Sequence, residues 1–294
     1  MSLPTSQTTA AAGNALDAYL DRIQNLPPTP TVLIKLIDLF RRPEAEVDEV
    51  VQLLRRDPAL ALEVLRRCKN SLVGNDADIH EVDEAVYRLG FFEVYEITVA
   101  LLGTRMLSAS KMAAGFPLEE LRRHSSLAAI AAGALAQEVG ESEGMAFTTA
   151  LLHDVGKLVF ALAEEARYAS IFYECKRTGG SLSQLEKTVF GFDHSEIGAH
   201  LLRRWGMPEE IVAAVLEHID PAGHTTPAKL TVMTYAASAL AGHIQSQAKT
   251  RFADLPAAKF VMEFLQLQPG QVNGWEHLVR SRVARLAVLE TPPA

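Results

Sequence analysis

The stretch Leu151-Leu152-His153-Asp154-Val155-Gly156-Lys157-Leu158 decides how the rest of the chain is read. Apolar side chains at Leu151, Leu152, Val155, Leu158 and Val159 recur at helical spacing and predict a buried helix. His153 and Asp154 sit in the middle of that apolar run. Buried polar groups destabilise a protein unless they are hydrogen-bonded or bound to a metal. An imidazole nitrogen beside a carboxylate oxygen offers two good ligands for a divalent cation. The competing reading is a satisfied core pair, with Asp154 bonded to Lys157 one turn on. Other ligands elsewhere in the chain would separate the two.

A chain of 294 residues with 48% hydrophobic and 22% charged content is globular and long enough to bury a sizeable core. The net charge of −8 argues against a general nucleic-acid or anionic-membrane surface. Paired arginines (Arg55-Arg56, Arg66-Arg67, Arg122-Arg123, Arg203-Arg204) lie on helical patterns beside apolar residues and read as solvated faces. With only Cys68 and Cys175, neither a disulfide framework nor a cysteine-rich zinc site can form. The start of the chain lacks the basic end and apolar core of a signal peptide, and no apolar run reaches the length of a membrane span. A cytoplasmic protein is expected.

Along the chain, residues 1–13 read as a flexible tail, and helical periodicity runs from Ala15 to Ile23. Thr29 and Pro30 predict a cap and first helical position, followed by a stripe of Val32, Leu33, Leu36, Ile37 and Phe40. Asp57-Pro58 repeats the device before Leu60, Val64, Leu65 and Cys68, and residues 74–78 read as a polar loop. Helices over 82–90 and 91–107 follow, then an internal boundary at Gly115-Phe116-Pro117. Beyond it lie an Ala-rich helix over 118–139, the central helix, and helices near 163–177, 183–189, 194–205, 209–218 and 229–244. Two short helices are expected after Leu255-Pro256. No period-two run, hairpin signal or internal repeat is present, so the fold is predicted all-α, a multi-helix bundle. The candidate ligands are His124, His153, Asp154, His194 and His218, each on or at the start of a different predicted helix apart from the adjacent pair. His80, His200, His224, His243 and His277 fit no pattern.

In order and local context these residues resemble the HD superfamily of metal-dependent phosphohydrolases. The carriers are Arg-Arg-His124-Ser-Ser, Leu-Leu-His153-Asp154-Val-Gly-Lys157 and the run from Asp193-His194-Ser-Glu196-Ile-Gly198 to Trp205-Gly-Met-Pro208. Leu26-Pro-Pro-Thr-Pro30, Asp57-Pro58-Ala-Leu60 and Ala85-Val-Tyr-Arg-Leu89-Gly90 make the chain more similar still to the HDOD branch, over roughly residues 15–245. The resemblance implies a helical half at 14–116 packed on an HD-like half at 117–245, with 246–294 as a C-terminal helical extension. It also implies a bacterial signalling or regulatory adaptor that works through a protein partner or small effector; the acidic charge and the lack of a basic stripe or long apolar run add the expectation of no nucleic acid and no membrane. Active HD enzymes carry a further aspartate on the helix after the last histidine. Here that helix reads Met233-Thr-Tyr-Ala236-Ala237-Ser-Ala-Leu240, and Ala237 is the expected counterpart. His243 lies ~9 Å further along the axis and is a poor replacement. The set is therefore read as a degenerate site with no catalytic residues and no obligatory cofactor. One divalent ion (zinc, iron, manganese or magnesium) is the single cofactor that the imidazoles and Asp154 could hold. The alternative is a metal-dependent HD-type phosphohydrolase or phosphodiesterase.

Overall fold

Caps and prolines set most of the helix boundaries in this computed structural model, which describes residues 6–23, 26, 30–42, 47–71, 81–108, 115–247 and 251–290. In the N-terminal half the helices are α1 (Ser6–Asp21), α2 (Thr31–Phe40), α3 (Val47–Arg55), α4 (Pro58–Ser71), α5 (Val82–Leu89) and α6 (Phe91–Ser108). The second half holds α7 (Leu118–Val139), α8 (Glu143–Leu152), α9 (Val155–Thr178), α10 (Leu182–Phe190), α11 (His194–Arg204), α12 (Glu209–Glu217) and α13 (Lys229–Gln245). Helices α14 (Pro256–Leu265) and α15 (Pro269–Glu290) close the chain. No strand occurs among the described residues, and the all-α expectation holds.

Local chemistry explains the boundaries. Asp57 accepts the Leu60 N–H at 2.9 Å and caps α4, with Pro58 as the first helical residue. Ser142 and Ser181 cap α8 and α10 in the same way. Gly179 ends α9 in the left-handed conformation (φ 69°), which costs glycine least.

Some boundaries differ from the sequence reading. The central helix is not continuous: α8 stops at Leu152 and α9 starts at Val155, so the His-Asp pair occupies a junction. Periodicity missed this because apolar residues on both sides keep one buried face in register. The helix expected near 163–177 is the continuation of α9 past a kink at Glu164 (φ −145°, ψ 59°). Helix α1 begins at Ser6 rather than Ala15, since Ala10-Ala11-Ala12 favours helix without an apolar stripe. One of the two short C-terminal helices is the 22-residue α15. Residues 1–5, Thr29, the loop at 74–78 and the side chains of Phe40 and Cys68 lie outside the described residues.

Helix α7 is the axis of the second half. Ala128, Ala129, Ala131, Ala132, Ala134 and Ala136 are all buried, and their small side chains let α8 and α13 pack closely along it. Helix α15 also packs on α7, where the Trp275 indole N–H donates to the Ala131 carbonyl at 2.8 Å. The N-terminal half joins through α6: Tyr95, fully buried, bonds Thr148 Oγ1 at 2.6 Å and the Gly144 carbonyl at 3.2 Å on α8. At the expected boundary, the Gly115 N–H donates to Glu165 Oε1 at 2.9 Å, tying that junction to α9. Helix α1 docks on α11 through Asp17–His200 (2.8 Å) and Asp21–Arg204 (2.6 Å). Its Tyr19 packs edge-on against Phe160 and Phe192. One stretch, Glu143–Thr178, is long and apolar enough to cross a membrane, but 83% of that window is buried within the protein.

Candidate metal centre

The five residues singled out from the sequence converge, and helix ends bring them together. His153 and His218 are the C-caps of α8 and α12, Asp154 precedes α9, and His194 opens α11. Only His124 projects from a helix interior, that of α7. A helix C-terminus leaves carbonyls without intrahelical partners. His153 and His218 each use Nδ1 to satisfy one, at Ala150 and Val215 respectively, both at 2.6 Å. His194 is fixed by a capping box in which Asp193 accepts the Ser195 and Glu196 N–H groups and Glu196 accepts the Asp193 N–H. The approach of α11 to α9 depends on Gly156: a β-carbon there would lie 1.9 Å from the His194 carbonyl oxygen.

Hydrogen-bond partners determine which nitrogen of each ring carries the proton. Nδ1 of His153 and of His218 faces a backbone carbonyl, and Nδ1 of His194 faces Glu186 Oε2 at 2.5 Å. Nδ1 of His124 faces Gln245 Oε1 at 3.1 Å, and the Gln245 amide is oriented by donating to the Glu120 carbonyl. All four partners are acceptors, so all four Nδ1 atoms are donors, and a neutral ring held in this way carries its lone pair on Nε2. Those Nε2 atoms surround one carboxylate. Nε2 of His124 and His153 lies 3.7 and 3.4 Å from Asp154 Oδ2; Nε2 of His194 and His218 lies 3.6 and 3.9 Å from Oδ1.

Burial, helped by neighbouring imidazoles, holds His153 well below the ordinary histidine range. His124 is lowered by burial as well, and His218 is lowered to about 4, by burial first and His194 second. Burial opposes ionisation of Asp154, yet the imidazoles facing it and the Lys157 ammonium 2.7 Å away outweigh that and keep it ionised. Burial thus disfavours the charged forms of His124, His153 and His218 around the Asp154 carboxylate. His153 Nε2 and Asp154 Oδ1 are buried with no hydrogen-bond partner. Donor atoms poised in this way form two groups of metal-ligand spacing that share Asp154: one with His124 and His153, the other with His194 and His218.

A cleft of about 260 Å³ opens beside the second group, lined among others by Asp154, Lys157, His194, His218, Tyr235 and Ser238. Asp154 and Lys157 form the expected ion pair at Oδ2, which leaves Oδ1 as the carboxylate oxygen without a hydrogen-bond partner. Ala237 is not among the residues that line the cleft. It is fully buried, and the neighbouring Ser238 and Ala239 line the cleft, with Ser238 Oγ 3.2 Å from His124 Nε2. Successive helical residues are about 100° apart, so an error of one position turns the side chain off the site. His243 belongs to neither ligand group.

The sequence reading missed Glu186, which is fully buried on α10. Its Oε2 accepts both the backbone N–H (2.9 Å) and Nδ1–H (2.5 Å) of His194, and its Oε1 accepts the Tyr168 hydroxyl at 2.7 Å. A signal was available: Leu182, Leu185, Glu186, Val189 and Phe190 fall on one helical stripe, and a carboxylate on an apolar stripe needs a buried partner.

An all-helical fold that gathers four imidazoles, three of them at helix ends, around one aspartate is of the HD type. The family model for the HDOD domain matches residues 26–221, and the chain belongs to the HDOD domain family. An HDOD domain protein of unknown function from Geobacter sulfurreducens superposes with a TM-score of 0.76 at 21% identity, covering 96% of this chain and 98% of that one. A phosphohydrolase candidate from Shewanella amazonensis SB2B gives 0.71 at 22% identity, covering 94% and 96%. At such identities the likeness establishes the fold. Ribonuclease Y of Lawsonia intracellularis is 26% identical over 214 residues, which are 72% of this chain but 34% of that protein.

Proposed function

We propose that this chain is an HDOD signalling module that retains a metal-binding His-Asp centre without the means to turn over a substrate. The observation that carries the reading is the pairing of four Nε2 atoms around Asp154 with a hydroxyl and a methyl, Ser238 and Ala239, on the facing helix. His124, His153, Asp154, His194 and His218 would hold the ion. A bound dication supplies Lewis acidity and lowers the pKa of a coordinated water. Among the described residues Asp154 is the only carboxylate in either ligand group, and Glu186 stands behind His194 on its Nδ1. The module then acts through a protein partner or small effector of a bacterial signalling pathway. Elemental analysis of protein purified without a metal-binding tag, beside hydrolysis of a chromogenic phosphodiester, tests it. Bound metal without turnover is the expected result. The second reading, a phosphodiester hydrolase, draws on Lys157 beside Asp154 at the cleft and on the partial match to ribonuclease Y. Robust metal-dependent turnover that Asp154→Ala abolishes would establish the hydrolase and refute the signalling reading.

A further inference from the structure

The two halves of the centre are not equivalent. On the Oδ2 side two of the three donor atoms already have partners, and only His153 Nε2 has none: Lys157 Nζ lies 2.7 Å from Asp154 Oδ2, and Ser238 Oγ lies 3.2 Å from His124 Nε2. An ion entering there must displace both. Oδ1, by contrast, has no hydrogen-bond partner. His194 and His218 line the cleft that leads to it, whereas His124 and His153 do not. The acceptors behind the rings differ too. His153, His218 and His124 are held by neutral carbonyl or amide oxygens, and His194 alone by a carboxylate.

A buried carboxylate on Nδ1–H fixes ring and tautomer and makes Nε2 a stronger donor. Glu186 is itself immobilised, because its two oxygens take three donors, two from His194 and one from Tyr168. We propose that a divalent cation first occupies the half formed by Asp154 Oδ1, His194 and His218, and that Glu186, held by Tyr168, is the positioning residue that makes this half the tighter one. The inference rests on the metal-centre reading above and adds to it which half fills first and what tunes it.

Titration of the full chain with Zn²⁺ and Co²⁺ tests it, with circular dichroism as the check on folding. His194→Ala should abolish the first, tight equivalent, and His124→Ala should leave it within a few-fold of wild type. Glu186→Gln keeps the shape and an acceptor oxygen but removes the charge, and should weaken the first equivalent roughly 10–100-fold. Tyr168→Phe removes only the hydroxyl that steadies Glu186 and should give a smaller loss. It carries the test if Glu186→Gln fails to fold. In the metal-free protein, ¹⁵N shifts of His194 should report Nδ1–H in the wild type and a mixed tautomer in Glu186→Gln, which a purely structural role would not produce. Loss of the first equivalent in His124→Ala but not in His194→Ala would overturn the assignment. An unchanged affinity and tautomer in the Glu186 or Tyr168 variants would overturn the positioning role. Wild-type protein that binds neither ion would refute the metal-centre reading and this inference with it.

Discussion

Gly156→Ala tests whether the close contact between α9 and α11 builds the centre. The added β-carbon would sit 1.9 Å from the His194 carbonyl oxygen, 2.7 Å from its carbonyl carbon and 2.9 Å from its α-carbon. All three are backbone atoms, so no side chain can rotate away. Restoring an ordinary contact of 3.4 Å requires α11 to retreat by about 1.5 Å. That displacement would open the 2.5 Å bond between His194 and Glu186 beyond hydrogen-bond reach. Overpacking of this kind costs about 1–3 kcal/mol, and a buried polar group left without its partner costs about 1–3 kcal/mol more. The expected loss is of order 2–6 kcal/mol out of a typical 5–15. At roughly 2–4 °C per kcal/mol for a domain of this size class, melting should fall by about 5–20 °C. Gly198→Ala meets its neighbours only at 3.1 and 3.3 Å and should lose much less. Gly274→Ala, with nothing within 4 Å, should be neutral or gain a few tenths of a kcal/mol. Differential scanning fluorimetry of the three variants gives the ranking. If Gly156→Ala melts with Gly274→Ala, the helices do not approach as described and the argument fails.

Other outcomes follow from the same geometry. Because His124, His153 and His218 titrate below their unfolded values when folded, the unfolded chain takes up protons that the native one refuses. Stability should therefore fall as pH drops from about 6.5 to about 4, by roughly 3 kcal/mol from His218 alone; urea melts across that range should show it, and a flat profile would mean that the rings are solvated. Ser238→Asp should tighten metal binding and, with Lys157 nearby, restore weak diester hydrolysis, whereas Ala237→Asp should chiefly destabilise by burying a charge; parallel metal titration and melting would separate them. His153→Ala should cost on the order of 1–3 kcal/mol by stripping the Ala150 carbonyl of its donor, and an unchanged melting temperature would refute that.

The chemistry of the site was more legible than its geometry. Histidines within apolar surroundings are conspicuous in a sequence because burial makes them expensive, and all five candidate ligands converge. The break between α8 and α9 stayed hidden, since Leu151, Leu152, Val155 and Leu158 keep helical spacing across it. The step from Ala237 to Ser238 was beyond reach for a related reason: on an Ala-rich helix no residue marks which face is buried. Glu186 was within reach, as the one charged residue on its helix's apolar stripe, but it is eight residues from His194 on a different helix. Sequence distance hid a contact that the turn from α10 to α11 makes direct.

Both tryptophans of the chain are buried, and each belongs to one half of the centre. Trp205 closes α11, the helix that opens with His194, and Trp275 is pinned by its indole N–H to α7, the helix that carries His124. The protein thus has two tryptophan emitters, excited selectively over its six tyrosines at the red edge of absorption, that move with different ligand groups. Replacing either by phenylalanine leaves a single-emitter variant whose spectrum follows one half alone. Red shift and iodide quenching would then time the exposure of each half during denaturation or on metal uptake, without an attached dye.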